Sequence, residues 1–254
     1  MRIVIITQND PFFLAENVNY LVKILPKHSE IVACFVGSAS PFGKKDGFLK
    51  KAIKTYNVFG LRFFIYYSTK FILSRFQNSK KIENVLKEKR IDRILLDKHI
   101  NHRESVEIIK NYNPDLLISI LGNQIFKDPI IRLAPKGCLN LHTALLPKYR
   151  GLMPTFWVMK NDEEYTGVSV FFVDKGIDSG PIVVQEKVKI GNKTQEELIK
   201  HTKKIGMESI AKAVDLIEKD QVKLITNNDA ETTYYSFPER KDVIDFVSKG
   251  KRFF

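Results

Sequence analysis

The chain is organised around one stretch, Cys138-Leu-Asn-Leu-His-Thr-Ala-Leu-Leu-Pro-Lys-Tyr-Arg-Gly-Leu-Met-Pro-Thr-Phe-Trp157. Asn140 and His142 stand two residues apart in its apolar first part, so on a strand both side chains project from the same face. Pro147 and the pair Arg150-Gly151 then interrupt regular structure, which is typical of a loop that closes over a site. The stretch therefore predicts a strand end that presents an amide and an imidazole to a functional site.

A second polar segment follows a strand predicted over residues 168–173. This segment covers residues 174–181, is rich in glycine and aspartate, and contains Asp178, which comes 36 residues after His142. That separation leaves room for one helix and one strand to return the chain to the same edge of a sheet. We therefore expect Asn140, His142 and Asp178 to meet.

These two segments resemble the formyltransferase family that takes its formyl group from 10-formyltetrahydrofolate. The shared pattern is Asn-x-His, then Leu-Leu-Pro-x-Tyr-Arg-Gly, then Ile-Asp-x-Gly-Pro, and the resemblance is strongest over residues 114–185. It implies that Asn140, His142 and Asp178 are catalytic, because they match the family's three catalytic positions one for one. It also implies that the loop after the strand at residues 116–121 contacts the pterin ring of the donor. The residues expected to bind the donor are Asn123, Gln124, Ile125, Phe126 and Asp174.

The chemistry of formyl transfer fits the three catalytic candidates. Attack of an amine on the formyl carbon creates an oxyanion, which the amide N–H of Asn140 can stabilise without a change of charge. His142 has the side chain whose ordinary pKa is nearest to neutrality, so it suits proton transfer. Asp178 can orient His142 or a water molecule. Each residue alone also has a structural explanation, as a strand-end cap, a core histidine and a turn former, and only their combination favours catalysis.

The rest of the chain predicts an α/β fold with an open, mostly parallel, Rossmann-like sheet and helices on both faces. Residues 2–7 and 30–36 are apolar, β-branched runs typical of buried parallel strands, and residues 12–25 between them have helical spacing. We expect a catalytic domain over residues 1–220 and a short C-terminal extension over residues 221–254 that packs on it. A capping box, Thr194-Gln-Glu-Glu197, predicts a helix that runs to about residue 219.

The loop after the first strand lacks the Gly-x-Gly-x-x-Gly pattern, which disfavours a dinucleotide cofactor. Gln8, Asn9 and Asp10 in this loop are candidates for contact with the formyl acceptor, since ligands bind at the carboxyl ends of parallel strands. A simple helix-start turn is an equally open interpretation. His99 and His102 have no partners at a spacing recognised for metal ligands, so no metal site is predicted.

Residues 61–76 are aromatic on several sides, with lysines and arginines between. We favour a helix packed on the sheet, because aromatic residues at helical spacing mostly belong to a core. An amphipathic helix on a membrane surface, a lid and a subunit contact remain open alternatives. Further along, Asn101-His-Arg-Glu104 has the pattern of a capping box.

Charge and cysteine content indicate which ligands and which cellular compartment to expect. The formal net charge is +12, but the lysines are spread along the chain and no arginine-rich helix with interleaved aromatics is visible. We therefore expect small anionic substrates and no nucleic acid. Cys34 and Cys138 lie in apolar runs, which favours reduced, buried thiols. The apolar start of the chain is too short for a signal peptide and no membrane-spanning stretch is found, so we expect a cytoplasmic protein with no stable membrane insertion.

The acceptor is indicated by residues 150–157, which resemble the Arg-Gly-x-x-Pro-x-x-Trp pattern of formyltransferases acting on nucleotide-linked amino sugars. The leading hypothesis is an N-formyltransferase for a nucleotide-linked amino-deoxy sugar, used in surface polysaccharide or glycoprotein assembly. Lys148, Arg150 and Trp157 would then contact the nucleotide. The alternatives are that Arg150 braces its own loop and that Trp157 anchors the following helix in the core.

Three other functions remain open from the sequence. A methionyl-tRNA formyltransferase-like enzyme is less expected, because only about 35 residues follow the last predicted helix and a separate domain is larger. A formyltetrahydrofolate hydrolase would ordinarily carry a regulatory domain before the catalytic one. The third alternative is a non-catalytic folate- or sugar-binding protein at the membrane. A homodimer is also among the expectations.

Overall fold

The computed structural model describes residues 1–37, 47–77, 81–121 and 124–254. Its helices are α1 (Leu14–Ile24), α2 (Phe48–Phe76), α3 (Ile82–Glu88), α4 (Arg103–Lys110), α5 (Asp128–Ile131), α6 (Pro154–Lys160), α7 (Gln195–Glu218) and α8 (Arg240–Ser248). Its strands are β1 (Arg2–Gln8), β2 (Glu30–Gly37), β3 (Asp92–Ile94), β4 (Leu116–Ile120), β5 (Cys138–His142), β6 (Arg150–Gly151), β7 (Tyr165–Phe172), β8 (Ile182–Lys189) and β9 (Tyr234–Tyr235). No helix within these ranges is both long and apolar enough to cross a membrane.

Seven strands form the main sheet in the order β3-β2-β1-β4-β5-β7-β8. Strands β1 to β5 are parallel to one another, whereas β7 is antiparallel to both β5 and β8. The open, mostly parallel sheet predicted from the sequence is therefore confirmed. Its order reverses at β1, which lies between β2 and β4, and a crevice opens at such a switch point beyond the carboxyl ends of the strands.

Helices cover both faces of the sheet, as predicted. Successive side chains of a strand point to opposite faces, and β1 shows this alternation directly. Ile3 and Ile5 pack in one core with α1, α3 and α7, while Val4 and Ile6 pack in a second core with α4 and α5. Thr194 begins α7 with the predicted capping box, in which its side chain and that of Glu197 each accept a bond from the other's backbone N–H.

Helix α2 differs from the prediction in shape and in what it packs against. Gly60 interrupts it with a φ of 82°. The ring centroids of Phe48 and Phe71 are 6.3 Å apart, although a straight helix would separate these residues by about 35 Å. The helix is therefore a hairpin with one arm over residues 48–59 and a second over residues 61–76. It packs mainly on α8 and the chain end rather than on the sheet, because aromatic side chains such as Phe63 contact Phe253.

The C-terminal residues pack closely on the rest of the chain. Strand β9 pairs with β6, and Ile225 bridges to Ile182 at the start of β8. Phe246 of α8 and Phe253 share a core cluster with Phe156 of α6. These contacts bring the C-terminal segment beside the loops that follow β5 and β7.

Candidate functional site

A cleft of about 1330 Å³ lies at the carboxyl ends of β1, β4 and β5. Gln8, Leu121 and His142, which end or follow these strands, all line it. The α2 hairpin forms a further wall of the cleft. The three catalytic candidates, Asn140, His142 and Asp178, line the cleft together.

The imidazole of His142, at the end of β5, is held by a hydrogen bond from one ring nitrogen and faces Asp178 with the other. It is only 6% exposed, and its Nε2 lies 2.7 Å from the carbonyl oxygen of Tyr149. A carbonyl oxygen can only accept, so Nε2–H must donate this bond, and in the neutral ring Nδ1 carries the lone pair. Nδ1 faces Asp178, with 3.5 Å to its Oδ2 atom. The structure thus makes Nδ1 the nitrogen of His142 that can take up a proton at the cleft.

Asp178 is positioned by contacts from two other segments. The backbone N–H of Gly151 donates a 2.9 Å hydrogen bond to its Oδ2 atom. The side-chain Nδ2 of Asn227 donates to the carbonyl oxygens of Asp178 and Gly180, both at 2.9 Å. A side chain at Gly180 is excluded, because its Cβ would stand 1.7 Å from the carbonyl oxygen of Phe172. The loop is therefore fixed both by its own close packing and by the C-terminal segment.

The route by which Asp178 reaches His142 differs from the expected one. We expected a helix and a strand to return the chain to the same edge of the sheet, but β7 is antiparallel to β5. The end of β7, at Phe172, therefore lies beside Leu139 and not beside His142. The loop over residues 173–181 itself carries Asp178 forward to the cleft, which explains why its close packing matters.

Asn140 supplies the third group of the cleft. It lies in the centre of β5, between Ser119 of β4 and Phe171 of β7. Its Oδ1 atom is buried and finds no hydrogen-bond partner among the described residues. An unpaired buried amide costs about 1–3 kcal/mol, and the orientation of an amide is assigned from its bonding network. Because no partner of Oδ1 fixes the orientation of this amide, the N–H groups of Asn140 can be directed toward a molecule in the cleft.

The predicted donor-binding loop also borders the cleft. Gln124, Ile125 and Phe126 line it, while Asn123 lies outside the described residues. The Oε1 atom of Gln124 accepts a bond from the backbone N–H of Ile100, 3.2 Å away. Phe126 is buried and Ile125 is 55% exposed, so the loop offers both a fixed wall and an open apolar surface.

Asn101 shapes this loop, a role that the sequence did not indicate. Its Nδ2 donates to the carbonyl oxygen of Ile125 and its Oδ1 accepts from the backbone N–H of Lys127, both at 2.8 Å. The predicted capping box that would begin at Asn101 is wrong. His102 caps α4 instead, through a bond from the backbone N–H of Glu104, which leaves the Asn101 amide to bridge two loops.

Asp174, the remaining donor-binding candidate, lines the cleft but is also engaged in its own loop. Its Oδ1 atom accepts from the backbone N–H of Gly176 at 3.0 Å and from the hydroxyl of Ser179. These bonds shape the turn that leads to Asp178. Asp174 therefore supports the loop and also faces the cleft.

The loop after β1 both lines the cleft and forms a helix-start turn, the two roles that the sequence left open. Gln8, Asn9 and Asp10 all line the cleft. Asp10 also forms the helix-start turn, since its Oδ1 atom accepts from the backbone N–H of Phe12 at 2.8 Å. Its Oδ2 atom pairs with the ammonium group of Lys203, 2.6 Å away. The pair places one anion and one cation at this end of the cleft.

Lys148, Arg150 and Trp157 are not among the residues that line the cleft. Lys148 is exposed, and Arg150 is 7% exposed with its guanidinium bonded to Asp229 at 2.7 Å and to the side chain of Asn227 at 2.9 Å. The indole N–H of Trp157 donates to the carbonyl oxygen of Ser236 at 3.0 Å. Arg150 thus braces a loop and Trp157 anchors α6, which are the alternatives weighed for both residues.

The α2 hairpin brings cations and aromatic rings to the cleft instead. The ammonium group of Lys54 lies 4.7 Å from the ring centroid of Phe237, and the guanidinium of Arg75 lies 5.1 Å from that of Phe71. Tyr67 also lines this wall, and burial, helped by the charge of Asp10, raises its pKa to about 12. Its hydroxyl therefore stays protonated at neutral pH.

The contacts that sequence reasoning missed are mostly made by backbone atoms or by distant residues. The carbonyl of Tyr149 and the N–H of Gly151 belong to the motif itself, but backbone groups leave no residue-type signal. Asn227 comes from a segment without a motif. No cluster of His, Cys, Asp or Glu that could hold a metal ion occurs in the parts of the chain that the structure describes.

Fold and cleft define an α/β protein with a cleft at the switch point of a mostly parallel sheet, in which Asn140, His142 and Asp178 lie among apolar residues. The chain belongs to the formyl transferase family, whose model matches residues 68–214, more than half of its length. This membership confirms the formyltransferase class expected from the sequence.

Two methionyl-tRNA formyltransferases are among its similar relatives. That of Alkaliphilus oremlandii is 38% identical over 127 residues, which are 50% of this chain and 41% of that protein. That of Kosmotoga olearia is 32% identical over 148 residues, 58% of this chain and 48% of that protein. The chain thus spans about half the length of the curated relatives it matches.

Solved structures share the fold across nearly the whole chain. An N-formyltransferase from Helicobacter canadensis, in complex with folinic acid and dTDP-3-aminofucose, is 18% identical and matches with a TM-score of 0.59 over 95% of this chain and 72% of its own. A phosphoribosylglycinamide formyltransferase from Anaplasma phagocytophilum is 15% identical and matches with a TM-score of 0.64 over 92% of this chain and 98% of its own. At these identities the likeness shows the fold alone.

Proposed function

We propose that this protein transfers a formyl group from 10-formyltetrahydrofolate to the amine of a nucleotide-linked amino-deoxy sugar. The observation that carries the formyl-transfer chemistry is the arrangement of Asn140, His142 and Asp178 in one cleft. The amide of Asn140, whose buried Oδ1 atom has no partner among the described residues, stands there with an imidazole–carboxylate pair in which Nδ1 of His142 is 3.5 Å from Oδ2 of Asp178.

The reaction follows from the atoms that face the cleft. The amine of the acceptor attacks the formyl carbon, and the carbonyl oxygen becomes an oxyanion that the amide N–H of Asn140 stabilises. The amine proton passes to Nδ1 of His142, the nitrogen that carries the lone pair, and Asp178 stabilises the resulting imidazolium. The bond between the formyl carbon and the folate nitrogen then breaks, and the same proton neutralises that nitrogen. The products are the N-formylated acceptor and tetrahydrofolate.

Two observations support a folate donor. Gln124, Ile125 and Phe126 give the cleft an apolar side wall with fixed backbone groups, which suits a planar ring system. Structures with the same fold contain folinic acid, in the Helicobacter canadensis protein, or 5-N-formyl-THF, in the sugar 3N-formyl transferase WlaRD.

The acceptor proposal rests on the α2 wall of the cleft. A nucleotide-linked sugar carries a diphosphate and a planar base, which match the cations Lys54 and Arg75 and the rings of Phe71 and Phe237. The dTDP-3-aminofucose bound in the Helicobacter canadensis structure is a nucleotide-linked amino sugar. We assign recognition of the nucleotide to this wall in place of Lys148, Arg150 and Trp157. A role in surface polysaccharide assembly follows from such a product.

Methionyl-tRNA is the second candidate acceptor, because the curated relatives at 38% and 32% identity are methionyl-tRNA formyltransferases. The chemistry at Asn140, His142 and Asp178 is the same for both acceptors. We place either reaction in the cytoplasm, a reducing compartment, which suits two cysteines that are free and buried.

The test supplies the protein with 10-formyltetrahydrofolate and, in parallel, a panel of nucleotide-linked amino sugars, the free amino sugars and methionyl-tRNA. Mass spectrometry follows the gain of one formyl group. We expect formyl transfer to at least one nucleotide-linked amino sugar, at a rate higher than that to the corresponding free amino sugar. Preferential formylation of methionyl-tRNA would select the second candidate, and folinic acid binding without any transfer would leave a non-catalytic binding protein.

Alanine variants of Asn140, His142 and Asp178 test the catalytic arrangement. Each should lower kcat by about 100-fold or more and still bind folinic acid, and double variants should lose little more, because the groups act as a unit. His201→Ala is the matched control, since this histidine is exposed on α7 and does not line the cleft. Mild losses that multiply in the double variants would contradict the arrangement.

A further inference from the structure

The α2 hairpin exposes an unusual amount of apolar surface. Ten of the nineteen large hydrophobic side chains that are exposed in the described ranges lie in this one element. They include Leu49 and Phe76, which are 75% and 80% exposed. The inner aromatic residues of the hairpin, such as Phe63, pack on the body of the protein. Three of the ten exposed residues, Phe48, Tyr67 and Ile72, line the cleft, and the other seven lie outside it and form the outer surface of the hairpin.

The exposed residues follow the helical period on each arm. On the second arm, Leu61, Ile65 and Phe76 are 60%, 56% and 80% exposed. At 3.6 residues per turn they lie within roughly 60° of one another around the helix. On the first arm, Leu49 and Ile53 are one turn apart and both exposed. Each arm thus carries an apolar stripe.

The charge of the hairpin has only one sign. Over residues 48–76 the sequence contains six lysines and arginines and no aspartate or glutamate. Lys70 pairs with Glu196 of α7 at 2.5 Å. Arg62 is exposed near the start of the second arm, and Arg75 is exposed near its end, where it also borders the cleft. An apolar stripe flanked by cations is the pattern of a helix that lies in the interface of an anionic membrane.

This charge also favours an anionic membrane over a second copy of the chain as the partner of the outer surface. In a symmetric dimer the same patch meets itself, so the cations of one hairpin would face the cations of the other with no acidic residue of α2 to compensate. Anionic lipid headgroups, in contrast, complement the cations while the leucine, isoleucine and phenylalanine side chains enter the acyl boundary.

We propose that the outer surface of the α2 hairpin is a docking surface for an anionic membrane, on which the protein binds peripherally with its cleft beside the bilayer. The proposal is independent of the acceptor. It adds a location for the reaction, since other side chains of the same hairpin line the cleft.

The experiment is co-sedimentation of the full chain with vesicles. Vesicles of equimolar phosphatidylglycerol and phosphatidylcholine are compared with phosphatidylcholine alone, at about 0.15 M and about 1 M salt. We expect a partition coefficient at least about tenfold higher on the anionic vesicles at the lower salt concentration, and most of that difference should disappear at the higher one.

Variants then distinguish the hairpin from the rest of the surface. The triple variant Leu61→Ser, Ile65→Ser, Phe76→Ser should lower the partition coefficient at least about tenfold. The matched control alters three residues of similar exposure elsewhere, Leu95→Ser, Leu224→Ser and Ile244→Ser, and should stay within about twofold of the parent. All these side chains are exposed, so circular dichroism should show unchanged folding.

Three results would overturn the proposal. One is the absence of sedimentation with anionic vesicles at about 0.15 M salt. Another is equal loss of binding in the triple variant and its control, which would indicate attraction by the net charge of +12 alone. The third is a dimer in sedimentation velocity without lipid that the triple variant dissociates, which would assign the surface to a second copy of the chain.

Discussion

Replacing Asn227 with aspartate tests how the C-terminal segment holds the loop that carries Asp178. Asn227 is 9% exposed, and its Nδ2 donates to the carbonyl oxygens of Asp178 and Gly180. Its Oδ1 accepts from the guanidinium of Arg150 at 2.9 Å. Aspartate keeps the shape and the acceptor for Arg150, but it removes both donors and turns an oxygen toward the two carbonyl groups.

The magnitude follows from these bonds. Each lost hydrogen bond is worth about 1 kcal/mol net, and buried carbonyl oxygens left to face another oxygen add a further penalty, so we expect a loss of about 3 kcal/mol in the free energy of unfolding. For a chain of this size that corresponds to a fall in Tm of roughly 6–12 °C. Because Asp178 is then less well held, kcat should fall by about 10- to 100-fold.

Thermal denaturation followed by circular dichroism measures the first effect. Hydrogen exchange of the Gly151 amide measures the loop directly, because this N–H donates to Asp178. The matched control is Asn228→Asp, which adds the same charge at the neighbouring, exposed position and keeps the oxygen that accepts from the N–H of Ala230. It gives up only an exposed 3.3 Å bond from Nδ2 to Glu231, which contributes little to stability. Equal melting temperatures for the two variants, with unchanged exchange at Gly151, would refute the reasoning.

Two further predictions concern packing. Gly180→Ala should lower the free energy of unfolding by about 1–3 kcal/mol, because the added Cβ meets the carbonyl oxygen of Phe172. The control Gly47→Ala, with open space around it, should melt like the parent. Equal melting temperatures for the two variants would show that the loop has room for a side chain at Gly180. The thiols of Cys34 and Cys138 are buried, and burial raises the pKa of Cys34 to about 12 and that of Cys138 further still. Neither thiol should react with Ellman's reagent near about pH 8 until denaturant is added, and fast labelling of the native protein would contradict this.

The parts of the fold that depend on short-range patterns could be predicted from the sequence. The continuous apolar, β-branched run over residues 2–7 predicts a buried strand, and in β1 its side chains fill two cores on opposite faces of the sheet. Asn140 and His142 could be placed together because two residues on a strand share a face. The direction of β7 could not be predicted, since a run of buried apolar residues looks alike in either direction.

The failures have a common physical cause. An arginine that braces a loop and an arginine that binds phosphate look alike in a sequence. Asn227 and Asp229, far along the chain, bind the guanidinium of Arg150 and so determine its role. The role of Trp157 likewise depends on a distant partner, the carbonyl oxygen of Ser236, to which its indole N–H donates. In α2, helical spacing indicated a helix, but the reversal at Gly60 and the packing partner depend on tertiary contacts.

The domain boundary expected at residue 220 separates the cleft from C-terminal residues that contact it. Asn227 and Asp229 hold Arg150 away from the cleft, and the same Asn227 side chain fixes the loop of Asp178. Strand β9 adds its pairing to β6 beside Gly151, whose N–H holds the carboxylate of Asp178. A segment that makes these contacts belongs to the site it supports. We therefore propose that residues 221–254 and the catalytic domain form one unit, in which the C-terminal segment positions Asp178 while the α2 hairpin recognises the acceptor.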